Sequence, residues 1–454
     1  LGEAAVPPPD QPVTIDYDPI RASDRTIQRL RALHPSKIDF STGRVERLLA
    51  TLGHPERRIG KVIHVAGTNG KGSTSAFMRA IGEAAGLKVH VLTSPHLVRF
   101  AERIRIAGTL ITDETLDELA DVVEAANAGE PISFFEISSA LAFEAFARTP
   151  ADISIIEVGL GGRYDCTNVF EAPAVSVITP VALDHLEILG PELSKIAWEK
   201  AGIIKRGRPV VSARQVDEAL EVIEREAAEL SAPLSLMGRN FDAYEERGRL
   251  VVQMESGLLD LPPPSLYGPH QVGNAGVAIA AMLSLDDSRI DEDAIARGVS
   301  ATAWPGRFQS LTKGPLAAKA RARGADLWLD GAHNPHGGAA LAEAAARLAG
   351  RDGRPVTLIV GMFGRKDAAK FFPYFRPLNP RVFTTTFQSP SATPPELLAE
   401  AAGAAGLKAT IADGVENALD LALAEPGPAP HIIVCGGLHF VGDVLAMSPE
   451  TWPT

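Results

Sequence analysis

Cysteine is nearly absent from this chain: only Cys166 and Cys435 occur among 454 residues, far apart in sequence. Two such residues build neither a disulfide framework nor a cysteine-based zinc site. Basic residues are also outnumbered. Lys and Arg total 44 against 56 Asp and Glu, and the net charge of −12 argues against nucleic acid or an anionic membrane as the main partner. It does not argue against a local anion site, because a glycine loop binds anions with backbone dipoles. No apolar run is long enough to span a bilayer. No charged start with an apolar core marks a secretory signal. The cytoplasm is therefore the expected location. The opening residues are rich in proline and small side chains and start without Met, so residues 1–20 read as a flexible extension.

What is present is length and a regular alternation. The chain exceeds the ~250–300 residues that one hydrophobic core usually supports, so two domains are expected. Apolar, strand-like runs fall at residues 62–66, 89–93, 153–158, 175–179 and 209–212. A second series falls at 327–329, 356–360, 382–386, 409–412 and 432–435. Helical patterns lie between many of them, as at 113–126, where Leu116, Leu119, Ala120 and Val123 recur at helical spacing behind Thr112. Apolar strands separated by helices imply parallel sheets covered on both faces, and two series imply two α/β domains. Trp304-Pro305-Gly306-Arg307-Phe308 breaks the pattern between them. Leu261-Pro262-Pro263-Pro264 reads as a loop inside the first domain.

The most informative stretch is Val62-Ile63-His64-Val65-Ala66-Gly67-Thr68-Asn69-Gly70-Lys71-Gly72-Ser73-Thr74, followed by a helical pattern at 76–85. Strand, glycine loop and helix form the context in which backbone N–H groups cradle phosphates. The lysine adds charge for the β- and γ-phosphates, and the hydroxyls reach Mg²⁺. The common spacing is not met, because Gly72 separates Lys71 from Ser73. Glu157 closes another apolar run and leads into Val158-Gly159-Leu160-Gly161-Gly162-Arg163. A carboxylate there points to where open α/β sheets bind ligands, and a metal ion is a good partner for it. A dinucleotide fingerprint starting at Gly159 fails, since residues 163–168 are polar and read as loop; a structural glycine turn stays open. Three further segments follow strands: Ser94-Pro95-His96-Leu97, Asp184-His185, and Asp330-Gly331-Ala332-His333-Asn334-Pro335. Lys200 lies in Trp198-Glu199-Lys200-Ala201-Gly202 and, taken alone, reads as a solvated helix residue.

Together these six segments resemble the folylpolyglutamate synthase and dihydrofolate synthase family of the Mur ligase superfamily, over about residues 38–443. The resemblance implies an N-terminal P-loop ATPase-like domain with a parallel-rich sheet (residues 21–303) and a C-terminal Rossmann-like α/β domain (304–454). It implies ATP and two Mg²⁺ sites, and allows a monovalent cation. Gly70, Lys71, Gly72 and Ser73 would bind the phosphates, with Asn274, Arg307 and Asp330 as further nucleotide contacts across the seam. Ser94 would ligate one Mg²⁺, Glu157 would bridge both, and His185 would bind the second. Lys200 resembles the family's carbamylated lysine, in which CO₂ turns a cation into a carboxylate. Asp39, Phe40, Ser41, Thr42, Phe135, Asp165 and Cys166 resemble the pterin-side contacts; Phe135 reads equally as core. His333 is a candidate contact for L-glutamate.

The implied reaction is ATP-dependent amide formation between L-glutamate and dihydropteroate or a reduced folate, by a bifunctional bacterial-type enzyme acting as a monomer. A monofunctional chain extender, another amino-acid ligase of the superfamily and an inactive ATP-binding module are the alternatives. The chain departs from the family pattern at Ser389-Pro390-Ser391-Ala392 and Gly436-Gly437-Leu438-His439. Replacement Lys71→Ala is expected to leave the fold intact and lower turnover by about 10²–10³, the effect of removing one preorganised charge-stabilising donor. Near-normal turnover in the folded variant would remove the phosphate role.

Overall fold

A computed structural model describes residues 28–30, 41–364 and 366–454. Residues 1–20 and the candidates Asp39 and Phe40 lie outside the described residues. Two large sheets organise the chain, as the two strand series imply. The first has eight strands, in the order Thr109–Leu110, Ile104–Ile106, Val89–Leu92, Ile153–Glu157, Lys61–Ala66, Val175–Ile178, Val210–Ser212 and Leu234–Leu236. The last six of these run parallel, and the short Ile104–Ile106 and Thr109–Leu110 strands add an antiparallel edge. The second sheet has the order Gln309–Ser310, Asp326–Leu329, His431–Cys435, Val356–Val360, Arg381–Thr384 and Lys408–Ile411, all parallel except the first.

Alternation explains why both faces are covered. Ile63, Val65 and Ile155 enter one core cluster, while Val62 and Ile156 enter another on the opposite face. Leu327, Leu329, Ile432 and Val434 likewise separate from Leu358, Val360, Ile433 and Cys435. Strands that carry apolar residues on both faces can only survive between two helical layers. Among the described residues, no helix is long and apolar enough to cross a membrane.

Besides the short strands Ile104–Ile106, Thr109–Leu110, Leu234–Leu236 and Gln309–Ser310, which the two series omit, two elements differ from the sequence reading. The helix behind the glycine loop begins at Lys71, not near residue 76, and runs to Ala84. Its first turn is built of glycine and small hydroxyl residues, weak helix formers, and is held by burial of Gly72, Ser73 and Thr74. The second difference is a three-stranded antiparallel sheet, Phe241–Glu246, Arg249–Met254 and Gly257–Leu261. Its middle strand buries the apolar run Leu250-Val251-Val252; the outer two are largely polar or exposed.

Register decides where function can sit. Val65 pairs with Glu157 on one side and Val177 on the other. The loops that leave these three strands therefore emerge at one sheet edge. In the second sheet Leu329 pairs with Val434, and Val360 with Cys435. Helix Glu292–Ala301 packs on helix Lys71–Ala84, and residue 309 already belongs to the second sheet. Residues 302–308 thus pass from one sheet system to the other.

Candidate active site

The glycine loop is fixed by backbone and side-chain bonds to its neighbours. Thr68 and Asn69 donate their N–H groups to Pro180 O, and Thr68 Oγ1 donates to Ala182 O. Gly70 has φ 89°, and a Cβ there would meet Asn274 Oδ1 at 2.5 Å. Asn274, buried on helix Pro269–Leu283, therefore lies directly against the loop. A Cβ at Gly72 would come within 2.6 Å of Trp304 Nε1. The extra glycine that breaks the common loop spacing is thus where an indole rests on the first helical turn.

Two lysines converge on this loop. Lys71 Nζ donates to Gly67 O at 3.0 Å, and Lys200 Nζ donates to the same oxygen at 2.9 Å. Lys200 is buried on helix Leu193–Ala201 rather than solvated. Burial, then the Lys71 charge, lowers its pKa to about 7, against the pull of Asp184, Glu199 and Asp165. A large share of this amine is neutral near neutral pH, the form that reacts with an electrophile.

Glu157, at the end of its strand, is 4% exposed, and its Oε2 has no hydrogen-bond partner. Burial raises its carboxyl to about 7, against Lys71, Arg307 and Arg103. With Ser94 and Gly72 it borders a cleft of about 310 Å³ that Trp304, Arg307 and Leu438 also line. An orphaned, desolvated carboxylate oxygen in a cleft that a serine also lines fits a hard divalent cation. Among the described residues no three His, Cys, Asp or Glu side chains form a metal cage. A cation here fits only with hydroxyl, water or phosphate oxygens in its shell, as Mg²⁺ prefers.

Asp184 is the hub that sequence reasoning left without a role. Its Oδ2 accepts from Asn334 Nδ2 at 3.0 Å and faces His333 Nε2 at 3.2 Å. Its Oδ1 accepts from Lys366 Nζ at 2.5 Å and from the His185 N–H at 2.9 Å. Burial opposes ionisation, but His333, Lys366 and His185 outweigh it and hold the carboxyl well below the usual range. His185 itself adopts a left-handed φ of 52°. Asn69 and Asn334 exchange amide hydrogen bonds of 3.2 and 3.1 Å, and Asn69 Nδ2 also meets His336 Nδ1 at 2.9 Å. Loops from the carboxyl edges of both sheets therefore interlock. The Asp184-His185 pair was a visible signal for this junction; Lys366 had none, being a lone lysine in a loop.

The remaining candidates are dispersed. Asp330 accepts from Phe308 N and Ala332 N, both at 2.8 Å, and lies in the field of Arg307. Phe135 is half-buried and presses on Gly159, where a Cβ would come within 2.2 Å of its ring. Cys166 lies beneath it, with Sγ 3.1 Å from Ser139 Oγ, and burial pushes its thiol well up. Asp165 turns its carboxylate into its own loop, accepting from Leu160 N and from the N–H and hydroxyl of Thr167. Ser41 and Thr42 precede helix Gly43–Thr51, which reaches the Phe135 helix through Arg44 and Glu136 at 3.1 Å.

The family model "Mur ligase middle domain" matches residues 65–282, and "Mur ligase, glutamate ligase domain" matches 306–438. The dihydrofolate synthase/folylpolyglutamate synthase of Mycobacterium tuberculosis is 34% identical over 448 residues, covering 90% of this chain and 89% of that protein. A crystal structure of the bifunctional folylpolyglutamate synthase/dihydrofolate synthase of Yersinia pestis, complexed with AMPPNP and Mn ion, matches with a TM-score of 0.82 and 32% identity over 92% of this chain and 96% of that one. An Escherichia coli structure in complex with DHPP and ADP matches with a TM-score of 0.80 and 30% identity, over 92% and 95%.

The Glu157 environment sets a pH test. The folded chain keeps this proton up to about pH 7, whereas the unfolded chain loses it near 4.5. The folded state binds more protons in that window, so this group lowers stability as pH rises through it, fully above 7. In metal-free buffer Glu157→Gln is expected to gain stability over the parent above pH 7 and nothing below 4.5, read by urea unfolding. Mn²⁺ with a nucleotide should reverse the order above pH 7. A stability difference that does not change with pH would contradict the desolvated carboxyl.

Proposed function

The chain belongs to the dihydrofolate synthase/folylpolyglutamate synthase family of Mur ligases, ATP-dependent enzymes that form C–N bonds, and from that premise we propose that it joins L-glutamate to dihydropteroate and to reduced folates. The observation that carries the assignment of residues is that Lys71 and Lys200 meet on the glycine loop while the unpartnered Oε2 of Glu157 lines a cleft with Gly72 of that loop. The N–H groups at the start of helix Lys71–Ala84 hold the phosphates of ATP, and Lys71 turns from Gly67 O to the β- and γ-oxygens. Ser94 and Glu157 would hold one divalent ion, and Glu157, His185 and a carbamylated Lys200 would hold the second. The ions neutralise charge on the transferring phosphoryl group. Asn274, Arg307 and Asp330 place the nucleotide, and Phe135 with Cys166 lines the pterin side.

A substrate carboxylate attacks the γ-phosphorus, ADP leaves, and an acyl phosphate forms. The glutamate amine attacks the acyl carbon, the amide forms, and inorganic phosphate and a proton leave. His333, tied to Asp184, stands on the glutamate side. The interlocked loops keep out water, which would otherwise hydrolyse the acyl phosphate. We also place the domain seam at residues 304–308. A monomeric state, a cytoplasmic location and a monovalent cation are proposals that rest on the resemblance.

Lys200 carries a finer proposal. A buried amine with pKa near 7 adds CO₂ and releases a proton, giving a carbamate oxygen donor for the second ion. Incubation with ¹³C-bicarbonate should give a carbamate carbon resonance that disappears in Lys200→Gln. No such resonance in the parent chain would refute the modification.

The activity is tested by mass spectrometry of products from ATP, Mg²⁺ and L-glutamate with dihydropteroate or tetrahydrofolate. Glutamate addition to both is expected. Addition to tetrahydrofolate alone would make the enzyme a monofunctional chain extender, and addition to neither would refute the ligase reading.

A further inference from the structure

The loop that carries Ser94 belongs to the first sheet by sequence but is gripped by the second half of the chain. Val98 is buried in the same cluster as Val441, Val444 and Leu445, and Leu97 packs against that cluster. Helix Leu438–Ala446 approaches so closely that a Cβ at Gly442 would come within 2.1 Å of Leu97 O. Leu97 Cδ1 also lies 3.5 Å from where a Cβ at Gly306 would stand, and the Arg99 guanidinium sits 5.4 Å from the Trp452 ring centroid. From the other side, the Glu102 carboxylate accepts three successive backbone N–H groups, from Leu97, Val98 and Arg99, at 2.8, 2.9 and 2.7 Å.

The loop is thus clamped between an internal carboxylate and a helix of the other domain, with Ser94 three residues from the clamp. Backbone touching backbone at Gly442 leaves no side chain to absorb a shift. Any displacement of helix Leu438–Ala446 passes directly into the loop that carries Ser94, which lines one cleft with Glu157.

We propose that Gly442, with Glu102, is a positioning residue for the divalent ion at Ser94 and Glu157, so that docking of the second domain completes that metal site. The proposal rests on the reading of Ser94 and Glu157 as metal ligands. It adds a role for the C-terminal helix that is separate from holding glutamate. Residues that orient metal ligands typically carry about 10–100-fold in metal affinity. Gly442 meets Leu97, whereas the 67–72 loop is held by Pro180, Ala182, Asn274 and Trp304, so nucleotide binding without metal should not follow.

The test uses the full chain with AMPPNP and Mn²⁺ as the probes. Mn²⁺ affinity is read by electron paramagnetic resonance, and metal-free AMPPNP affinity by calorimetry. In Gly442→Ala the Mn²⁺ Kd is expected to rise about tenfold or more, with metal-free AMPPNP affinity unchanged. Glu102→Gln, which keeps one of the two acceptor oxygens, loosens the same loop from inside. It should give the same split and carries the test if Gly442→Ala fails to fold. Unchanged Mn²⁺ Kd in a folded variant would overturn the proposal. So would equal losses of metal and metal-free nucleotide affinity, which mean general loosening. If the parent chain itself binds no Mn²⁺ with AMPPNP, the earlier assignment of Ser94 and Glu157 fails first, and the proposal falls with it.

Discussion

Two ammonium groups, Lys71 and Lys200, donate to a single carbonyl oxygen, that of Gly67. Like charges placed together away from water are unfavourable, and the structure relieves this only in part. Lys200 sheds its proton near neutrality, and the buried Glu157 carboxyl resists ionisation until a similar pH. The arrangement suits a polyanionic phosphate chain and divalent ions far better than an empty cavity. Phosphate oxygens give Lys71 a partner, and a cation gives Glu157 one. The electrostatic cost of the unliganded site and its affinity for ATP with metal have the same origin.

The second half of the molecule is drawn in by the same physics. Asp184 remains ionised because His333, Asn334 and Lys366 arrive from the other sheet to meet it. Removing one partner would leave a buried charge without compensation, which costs far more than the pair contributes. The junction is therefore specific for one docked arrangement. It also places Asn334 on Asn69, inside the nucleotide loop. The loop that would bind phosphate and the loop that would meet glutamate are in direct contact.

Most of the fold was legible because period and punctuation agreed. Each strand expected in the two series lies within two residues of an observed strand, for instance Val356–Val360 and Ile432 onward to Cys435. Thr112 does cap its helix, accepting from Thr115 N. The failures have a common cause. The first turn of helix Lys71–Ala84 and the outer strands of the 241–261 sheet lack local preference, and packing supplies what propensity does not.

The sequence by itself determined the alternation of strands and helices, the glycine loop with its lysine, and the family, because each is a local pattern of residue types. It also marked Glu157, a charge at the end of an apolar strand, and Asp184-His185 in the loop after another. Tertiary structure alone decided that Lys200 is buried against Gly67, that Lys366 reaches Asp184, and that Gly442 packs on Leu97. These depend on which surfaces meet across more than a hundred residues of chain, and no local pattern encodes a distance of that kind.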